Sequence, residues 1–315
     1  MSVIEKIKSS KNTAFSFELL PPLKGNGIDS VFGTIDKLCE FNPQYINITT
    51  HRSEFVYRQK EDGTFIRLTE RYRPGTVAVA AAIRNKYNID VVPHILCSGF
   101  TREETEYVLI DLQFLGITDL LLLRGDKAKH DNEFIVTGNE HATDLQLQVN
   151  QFNNGFFTNG EAMKNKTMPF SYGMACYPEK HEEAPNIDAD LAWAKMKVED
   201  GADYLVTQMF FDNEKYFNFV EKCRKNGINV PVIPGIKPVT LCNQLTVLPK
   251  IFHVDIPESF ACELLRCKTD AQAAEAGVEW CIAQAKELKA HGVPSIHFYS
   301  FMATESVRKV AKAVY

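Results

Sequence analysis

The sequence has few of the features that mark secreted, membrane or nucleic-acid-binding proteins. No stretch approaches the roughly 18 consecutive apolar residues of a membrane span. The N-terminal segment MSVIEKIKSSKNTAF has no long apolar run and no small-residue cleavage site. Aspartate and glutamate (40) outnumber lysine and arginine (35), the net charge is −5, and no Lys/Arg run occurs. These absences argue against all three classes and predict a cytoplasmic protein.

Motifs for metals, disulfides and common hydrolases are also missing. The eight cysteines form no CxxC, and the closest pair, Cys262 and Cys267, lacks a usual zinc spacing. No HxH, HExxH or GxSxG pattern occurs. We therefore expect reduced thiols, no metal and no hydrolase triad.

The sequence does contain a regular alternation of short β-rich runs and helix-like stretches. Eight runs are typical of buried strands, at 14–17, 45–49, 91–96, 120–123, 172–175, 204–207, 232–234 and 296–299. Apolar periodicity predicts helices at 28–41, 101–115, 188–199, 213–225 and 271–290. Eight such units predict an α/β protein with a single (β/α)8 TIM barrel spanning 1–315. The alternative, a doubly wound open sheet, usually has a GxGxxG after its first strand, and none is present here.

In a barrel, chemistry sits at the carboxyl ends of the strands. Glu18 ends the first run, and a carboxyl group beside apolar neighbours can have the raised pKa that suits a general acid; the other interpretation is a solvated strand end. Four leucines lead directly into Arg124, Gly125 and Asp126. Here the arginine can bind an anion, the aspartate can accept hydrogen bonds from a heterocycle, and the glycine allows a ligand to approach the backbone closely. The other interpretation is a loop in which Arg124 and Asp126 form an ion pair.

Two further segments are less specific. Asp190, Trp193 and Lys197 share one face of a predicted helix, where the lysine suits a phosphate, although a solvated surface is the commoner interpretation. The segment 150–167, rich in Asn, Gly and Phe, predicts a long loop.

Seven motifs, in order along nearly the whole chain, resemble the methylenetetrahydrofolate reductase family in its short bacterial form. They are SFELLPP at 16–22, HILC at 94–97, LLRGD at 122–126, ACYPEKHEEAP at 175–185, DGADYLVTQMFFD at 200–212, VIPGIKPV at 232–239 and HFYS at 297–300. The resemblance implies a flavoprotein barrel that passes a hydride from NAD(P)H to FAD, then to 5,10-methylenetetrahydrofolate. The product, 5-methyltetrahydrofolate, feeds methionine synthesis.

The resemblance also implies roles for individual residues. Glu18 matches the family's general acid, and Asp126 matches the aspartate between flavin and pterin, so both are expected to be catalytic. Folate contacts are implied for Glu18, Asp126, Gln208, Gln244 and Leu248. FAD contacts are implied for Thr49, His94, Arg124, Gly125, Asp126, His141, Ala142, Tyr177, His181, Asp190, Trp193 and Lys197.

The sequence departs from the family pattern at two places. Ala303 stands where the family often has a folate-contacting arginine, with Arg308 as another nearby base, and His51 and Arg52 follow the second run in place of smaller residues. The chain ends after the last barrel helix, so we expect no C-terminal regulatory domain. The resemblance to the short bacterial-type enzymes implies NADH as donor, and we also expect a homo-oligomer. Two alternatives stay open: a barrel lyase or aldolase with a Schiff-base lysine, for which Lys237 is the candidate, and a flavin- or folate-binding barrel without turnover.

Overall fold

The computed structural model describes residues 1–126, 136–165, 167–300 and 303–315. Its strands are β1 (Ala14–Leu19), β2 (Tyr45–Ile48), β3 (Glu54–Gln59), β4 (Phe65–Glu70), β5 (Asp90–Leu96), β6 (Asp119–Leu123), β7 (Ser171–Cys176), β8 (Tyr204–Thr207), β9 (Val232–Ile233), β10 (Gly235–Ile236) and β11 (Ser295–Tyr299). Its helices are α1 (Val3–Ser9), α2 (Asp29–Leu38), α3 (Thr76–Tyr87), α4 (Arg102–Phe114), α5 (Ala142–Asn153), α6 (Ile187–Glu199), α7 (Asn213–Lys225), α8 (Gln244–Phe252), α9 (Glu258–Arg266), α10 (Asp270–Ala290) and α11 (Thr304–Val314).

Nine parallel strands form one sheet in the order β10-β11-β1-β2-β5-β6-β7-β8-β9. The two strands at the ends of this order, β9 and β10, are separated in the chain only by Pro234. Proline has no N–H to donate, so the seventh predicted strand is split there, with β9 pairing to β8 and β10 to β11. This is the strand order of a (β/α)8 barrel, and the predicted fold class is confirmed.

The chain divides into two compact units. The first unit comprises Met1–Leu20, Gly33–Asn47 and Ser171–Tyr315, and the second comprises Pro21–Phe32 and Ile48–Phe170. In the first unit, Phe15 and Phe17 of β1 are buried with Phe298 of β11, because both strands are covered on each face. In the second unit, β5 and β6 pair in parallel and are similarly buried.

The second unit also contains an antiparallel hairpin that the sequence pattern did not predict. Its strands, β3 and β4, pair from Glu54↔Glu70 to Gln59↔Phe65. Most of their side chains are exposed on both faces, so the alternation of apolar and polar residues that signals a half-buried strand is weak.

Helix boundaries agree closely with the periodicity where a cap is present. Thr101 caps α4 through a capping box with Glu104. The predicted loop at 150–167 is wrong at its start, because α5 continues to Asn153. Val149 and Phe152 are buried and three residues apart, so they continue the apolar face of α5.

No helix among the described residues is both long enough and apolar enough to cross a bilayer.

Candidate active site

The first unit carries Glu18 at the carboxyl end of β1. The register of the parallel strands aligns Glu18 with Tyr299 of β11. It also aligns Ile236 of β10 with Phe298, and continuing this register by one residue beyond β10 brings Lys237 level with Tyr299. Aligned residues of neighbouring parallel strands share a face of the sheet. Glu18, Tyr299 and Lys237 therefore form one row across three strands, which we call the acid row.

A second row lies one step towards the amino ends of the same strands. Ser16 is aligned with His297, and His297 with Gly235. Ser16 Oγ lies 3.0 Å from His297 Nδ1, so the two side chains do share a face. Burial lowers the pKa of His297 to about 3. The ring is therefore neutral at physiological pH and adds no positive charge near Glu18.

Gly235 leaves the space that the Tyr299 ring occupies. The Tyr299 hydroxyl donates a hydrogen bond of 2.7 Å to the main-chain oxygen of Thr207. A Cβ atom on Gly235 would lie 2.5 Å from Cε2 of Tyr299 and 2.6 Å from that same oxygen. Both distances are shorter than a normal contact, so a side chain at 235 would displace the ring from its place in the acid row.

Burial controls the protonation of the acid row. Glu18 is 5% exposed and Lys237 is 4% exposed. Burial raises the pKa of Glu18 to about 8, with the Lys237 ammonium acting in the opposite direction. Burial also lowers the pKa of Lys237 to about 8, and here the Glu18 carboxylate opposes the change. Glu18 is protonated at neutral pH, which is the state a general acid requires.

A small open pocket lies in the first unit between the loop after β7 and the end of β8. Tyr177, a predicted FAD contact, and Gln208, a predicted folate contact, both line it. The Gln208 Oε1 atom accepts a hydrogen bond of 2.9 Å from the N–H of Met209. Residues predicted to touch two different ligands therefore share one cavity wall.

Asp190 of α6 anchors the loop that carries Tyr177 and His181. The buried Asp190 carboxylate accepts a hydrogen bond of 3.0 Å from the main-chain N–H of His181. The His181 ring packs edge-on against the Tyr177 ring, with centroids 4.6 Å apart. Burial lowers the pKa of His181, so this ring is kept in its neutral form.

Lys197 lies two turns further along α6. Its ammonium donates a hydrogen bond of 2.9 Å to the main-chain oxygen of Ala175 near the end of β7. Burial lowers the pKa of Lys197, and the thiol of Cys176 and the carboxylate of Asp190 act in the opposite direction. Trp193, between them on the helix, is 54% exposed. This helix therefore presents a buried cation and an accessible ring.

The two remaining predicted folate residues hold α8 in place. Gln244 begins α8, and its Oε1 accepts hydrogen bonds from the N–H groups of Thr240 (2.7 Å) and Leu241 (3.3 Å). Leu248 is buried in an apolar cluster that includes Met209. Both residues have a structural function here, and their folate contacts stay predictions.

The second unit holds Arg124, Gly125 and Asp126 at the end of β6. Arg124 Nε donates a hydrogen bond of 3.2 Å to the main-chain oxygen of Glu140, directly before the predicted FAD contacts at 141–142. Gly125 has a φ of +81°, a conformation that favours glycine, and the exposed Asp126 follows it. The strand end and the start of α5 are thus joined.

His141 caps α5, which begins at Ala142. The main-chain N–H of His141 donates a hydrogen bond of 2.9 Å to the Asp144 carboxylate, whose oxygen lies 3.7 Å from the His141 Nδ1. The Asp144 carboxylate therefore accepts a hydrogen bond at the start of α5, where main-chain N–H groups lack partners within the helix.

Thr49 and His94 lie at the ends of neighbouring segments of the second unit. Thr49 Oγ1 is 3.1 Å from His51 Nε2. His94, buried within β5, is aligned with Leu121 of β6, and its main-chain oxygen accepts a hydrogen bond of 2.5 Å from Thr50 Oγ1. The Thr50 hydroxyl thus connects the segment after β2 to β5.

Arg52 lies in a hydrogen-bonded chain that links three loops of the second unit. Its Nη1 donates to Ser98 Oγ, and Ser98 Oγ donates a hydrogen bond of 2.9 Å to the main-chain oxygen of Asp126. The larger residue after β2 therefore supports the loop that carries Asp126. At the other departure, Ala303, the nearby base Arg308 forms an ion pair of 2.7 Å with Glu40.

Lys237 and Tyr299 are the residues whose place near Glu18 the sequence pattern missed. The run VIPGIKPV offers Lys237 only as a lone lysine after a strand, and HFYS offers Tyr299 only as part of a motif. The sequence does contain part of this information, because side chains alternate between the two faces of a strand. This alternation places Ser16 and Glu18 on one face of β1, and it places His297 and Tyr299 on one face of β11.

Among the residues that the structure describes, no group of three or more His, Cys, Asp or Glu side chains is placed to hold a metal ion.

A solved structure of low sequence identity shares the fold. It is of a Clostridium thermocellum protein described as binding two copies of 5-methyl-5,6,7,8-tetrahydrofolic acid, and it matches with a TM-score of 0.58 at 14% identity, over 99% of this chain and 98% of that chain. At this identity the likeness supports the fold class alone, an α/β barrel.

Sequence comparison defines the family. The model of the methylenetetrahydrofolate reductase family matches residues 3–314. The chain is 29% identical to methylenetetrahydrofolate reductase (NADH) 1 of Arabidopsis thaliana, over 97% of this chain and 49% of that protein. It is 28% identical to 5,10-methylenetetrahydrofolate reductase of Salmonella typhimurium, over 92% of this chain and 86% of that protein. The chain belongs to the methylenetetrahydrofolate reductase family, and it spans about half the length of the eukaryotic relatives it matches.

Proposed function

We propose that the protein is an FAD-dependent methylenetetrahydrofolate reductase that forms 5-methyltetrahydrofolate with NAD(P)H as the hydride donor. The observation that carries this proposal is Glu18. It lies at the position of the family's acid, it is 5% exposed, and its raised pKa of about 8 keeps it protonated at neutral pH. Membership of the family supports the substrate.

Glu18 supplies the proton that the folate needs. Opening the five-membered ring of 5,10-methylenetetrahydrofolate requires a proton on N10, which leaves an iminium at N5 to accept the hydride. The O–H bond of Glu18 breaks, an N–H bond forms at N10, and Glu18 is left as a carboxylate. A pKa near the working pH suits this transfer, because the acid is then protonated and is still strong enough to donate its proton.

The residues assigned to FAD suit its chemistry. In the first unit, Lys197 provides a positive charge that suits a phosphate. In the second unit, Arg124 provides a positive charge, and α5 offers main-chain N–H groups from Ala142 onwards. The exposed ring of Trp193 suits stacking. When bound, the flavin supplies the hydride chemistry that amino-acid side chains lack. Asp126 contributes an exposed carboxylate that disfavours added negative charge nearby.

Several further properties of the protein are proposals that rest on the family resemblance. We propose NADH as the preferred donor by resemblance to the short bacterial-type enzymes; the Arabidopsis relative is named for NADH, and another relative is named for NADPH. We also propose a single catalytic barrel, a homo-oligomer, a cytoplasmic location and a place in the supply of methyl groups for methionine.

An anaerobic visible spectrum of the purified protein with FAD tests the proposal. We expect a flavin spectrum that bleaches when NADH is added and returns when methylenetetrahydrofolate follows. Bleaching without return would leave a flavin reductase with another electron acceptor. Protein that takes up no FAD would overturn the flavoenzyme proposal.

A barrel lyase is the second candidate, and one observation favours it. Burial lowers the pKa of Lys237 to about 8, and a lysine with a lowered pKa is a better Schiff-base nucleophile. Borohydride treatment in the presence of carbonyl substrates distinguishes the two functions. Covalent trapping at Lys237 would support the lyase, and its absence together with flavin turnover would exclude it.

A further inference from the structure

Lys237 is a buried cation that the proposed reaction leaves unused. It follows β10 directly, and the registers of β10, β11 and β1 place it in the acid row with Tyr299 and Glu18. Both Lys237 and Glu18 are almost wholly removed from solvent. A buried ammonium without compensating charge is costly, so its place beside an ionisable carboxyl group calls for a functional reason.

The other titratable groups around this pair are neutral. Burial raises the pKa of Tyr299 in β11 and of Tyr45 in β2. Burial raises the pKa of Cys281, which faces Lys237 from α10, to about 12. His297 is neutral as described above. Among the described residues, the cation that acts on the Glu18 carboxyl group is therefore Lys237.

We propose that Lys237 is a positioning residue for Glu18, and that its ammonium is the counter-charge for the carboxylate left when Glu18 gives its proton to the substrate. The inference rests on the proposed function in one respect only, the identity of the proton acceptor. Lys237 itself neither gains nor loses a proton in this step. Glu18 regains its proton from water after the product leaves.

The consequence for catalysis follows from the charges. A carboxylate formed in a buried site without a cation is disfavoured, because burial penalises the charged form. Lys237 offsets part of this penalty and so makes Glu18 a stronger acid than burial alone would allow. Removal of the ammonium should raise the pKa of Glu18 further, by roughly 1–3 units, the usual effect of one neighbouring opposite charge.

Infrared titration of the substrate-free protein tests this directly. The carbonyl stretch of protonated Glu18 is identified as the band that Glu18→Gln removes, and its loss is followed as the pH is raised. We expect Lys237→Met and Lys237→Gln to move the midpoint upwards by roughly 1–3 pH units, and Lys237→Arg to keep it near the wild-type value. Lys222→Met, at an exposed position of α7, is the matched control and should not move it.

The folate half-reaction gives an independent readout. Loss of the ammonium should slow this step roughly tenfold or more at neutral pH, since one pKa unit corresponds to about a tenfold change in equilibrium, and should shift the falling alkaline limb of its pH profile upwards. Reduction of the enzyme by NADH should change little. A uniform loss in both half-reactions would indicate a structural role instead.

The outcomes separate this inference from the proposed function. An unchanged midpoint in both neutral variants, or an arginine variant that behaves like them, would overturn the role of Lys237. A shifted midpoint in a protein that never oxidises its flavin with folate would remove the proposed function and leave the counter-charge in place. Near-ultraviolet circular dichroism checks that each variant is folded. If both neutral variants unfold, Lys237→Arg remains as the test. A Glu18 titration midpoint in Lys237→Arg that differs from the wild-type midpoint contradicts the proposal.

Discussion

Glu18 is the penultimate residue of β1 and Asp126 lies three residues after β6, and the surroundings of the two carboxyl groups differ. Glu18 is enclosed at the end of β1 with Lys237 and Tyr299 in its row, and burial raises its pKa to about 8. Asp126 follows the positive-φ turn of Gly125 and is exposed. A carboxyl group near the carboxyl end of a strand can thus be a proton donor or a fixed charge, and burial decides which.

The largest effect is expected for Glu18→Gln. The amide cannot donate an acidic proton, so reduction of methylenetetrahydrofolate should fall by about 10²–10⁴-fold, while reduction of the flavin by NADH stays nearly intact. Stopped-flow measurement of each half-reaction checks this. Survival of both half-reactions at wild-type rates would remove the role of Glu18.

A smaller effect is expected for Asp126→Asn. Loss of the exposed charge should raise the flavin reduction potential and slow folate reduction by roughly tenfold, which corresponds to about 1.4 kcal/mol in the barrier. Potentiometric titration with a reference dye measures the first change. A potential equal to that of the wild type would contradict the electrostatic role of Asp126 and leave Glu18 unaffected.

The burial of Glu18 should also appear in the pH dependence of stability. Its folded pKa of about 8 lies above its ordinary value of 4.5, so the folded state holds the proton more tightly. The stabilisation is therefore complete below about pH 4.5 and is lost as the pH rises through 8. Urea unfolding should show a free energy that falls over this range more steeply for the wild type than for Glu18→Gln. Equal slopes would mean that Glu18 is not buried in solution.

The acid row itself can be disturbed through Gly235. Gly235→Ala places a methyl group where the Tyr299 ring lies, and we expect a loss of about 1–3 kcal/mol in the free energy of unfolding. Gly33→Ala is the matched control, since its Cβ meets no atom within 4 Å and α2 favours alanine over glycine. Thermal and urea unfolding compare the two. A Gly235 variant as stable as the Gly33 variant would contradict the packing of Tyr299.

Much of the barrel follows from sequence, and the reason is local. The runs 204–207 and 213–225 coincide with β8 and α7, because a buried β-branched strand and an amphipathic helix capped by Asp212 each have their own signal. The hairpin β3–β4 has no buried face, so its sequence lacks the alternation of apolar and polar residues that would predict strands there. The sequence predicts a loop over the last residues of α5, because Asn150 and Asn153 there are typical of loops and Gly155 follows shortly after.

The candidate site is predictable in part. Glu18 stands out because a charge at the end of an apolar run is unusual, and the structure confirms that it is buried. Lys237 could not be assigned to it in this way, since the two residues are over two hundred positions apart and only the register of β10, β11 and β1 brings them into one row. Contacts between strands that are distant in sequence depend on the order of the strands in the sheet, which no local pattern contains.

The pH profile of the folate half-reaction tests the role of Glu18 most directly. Pre-reduced wild-type enzyme and Asp126→Asn are mixed with methylenetetrahydrofolate across the neutral and alkaline range, and flavin reoxidation is followed. If protonated Glu18 is the acid, the rate constant falls above a pKa of about 8 in both proteins, and Asp126→Asn is slower throughout. A rate constant that does not change across this range would contradict the assignment of Glu18 as the proton donor.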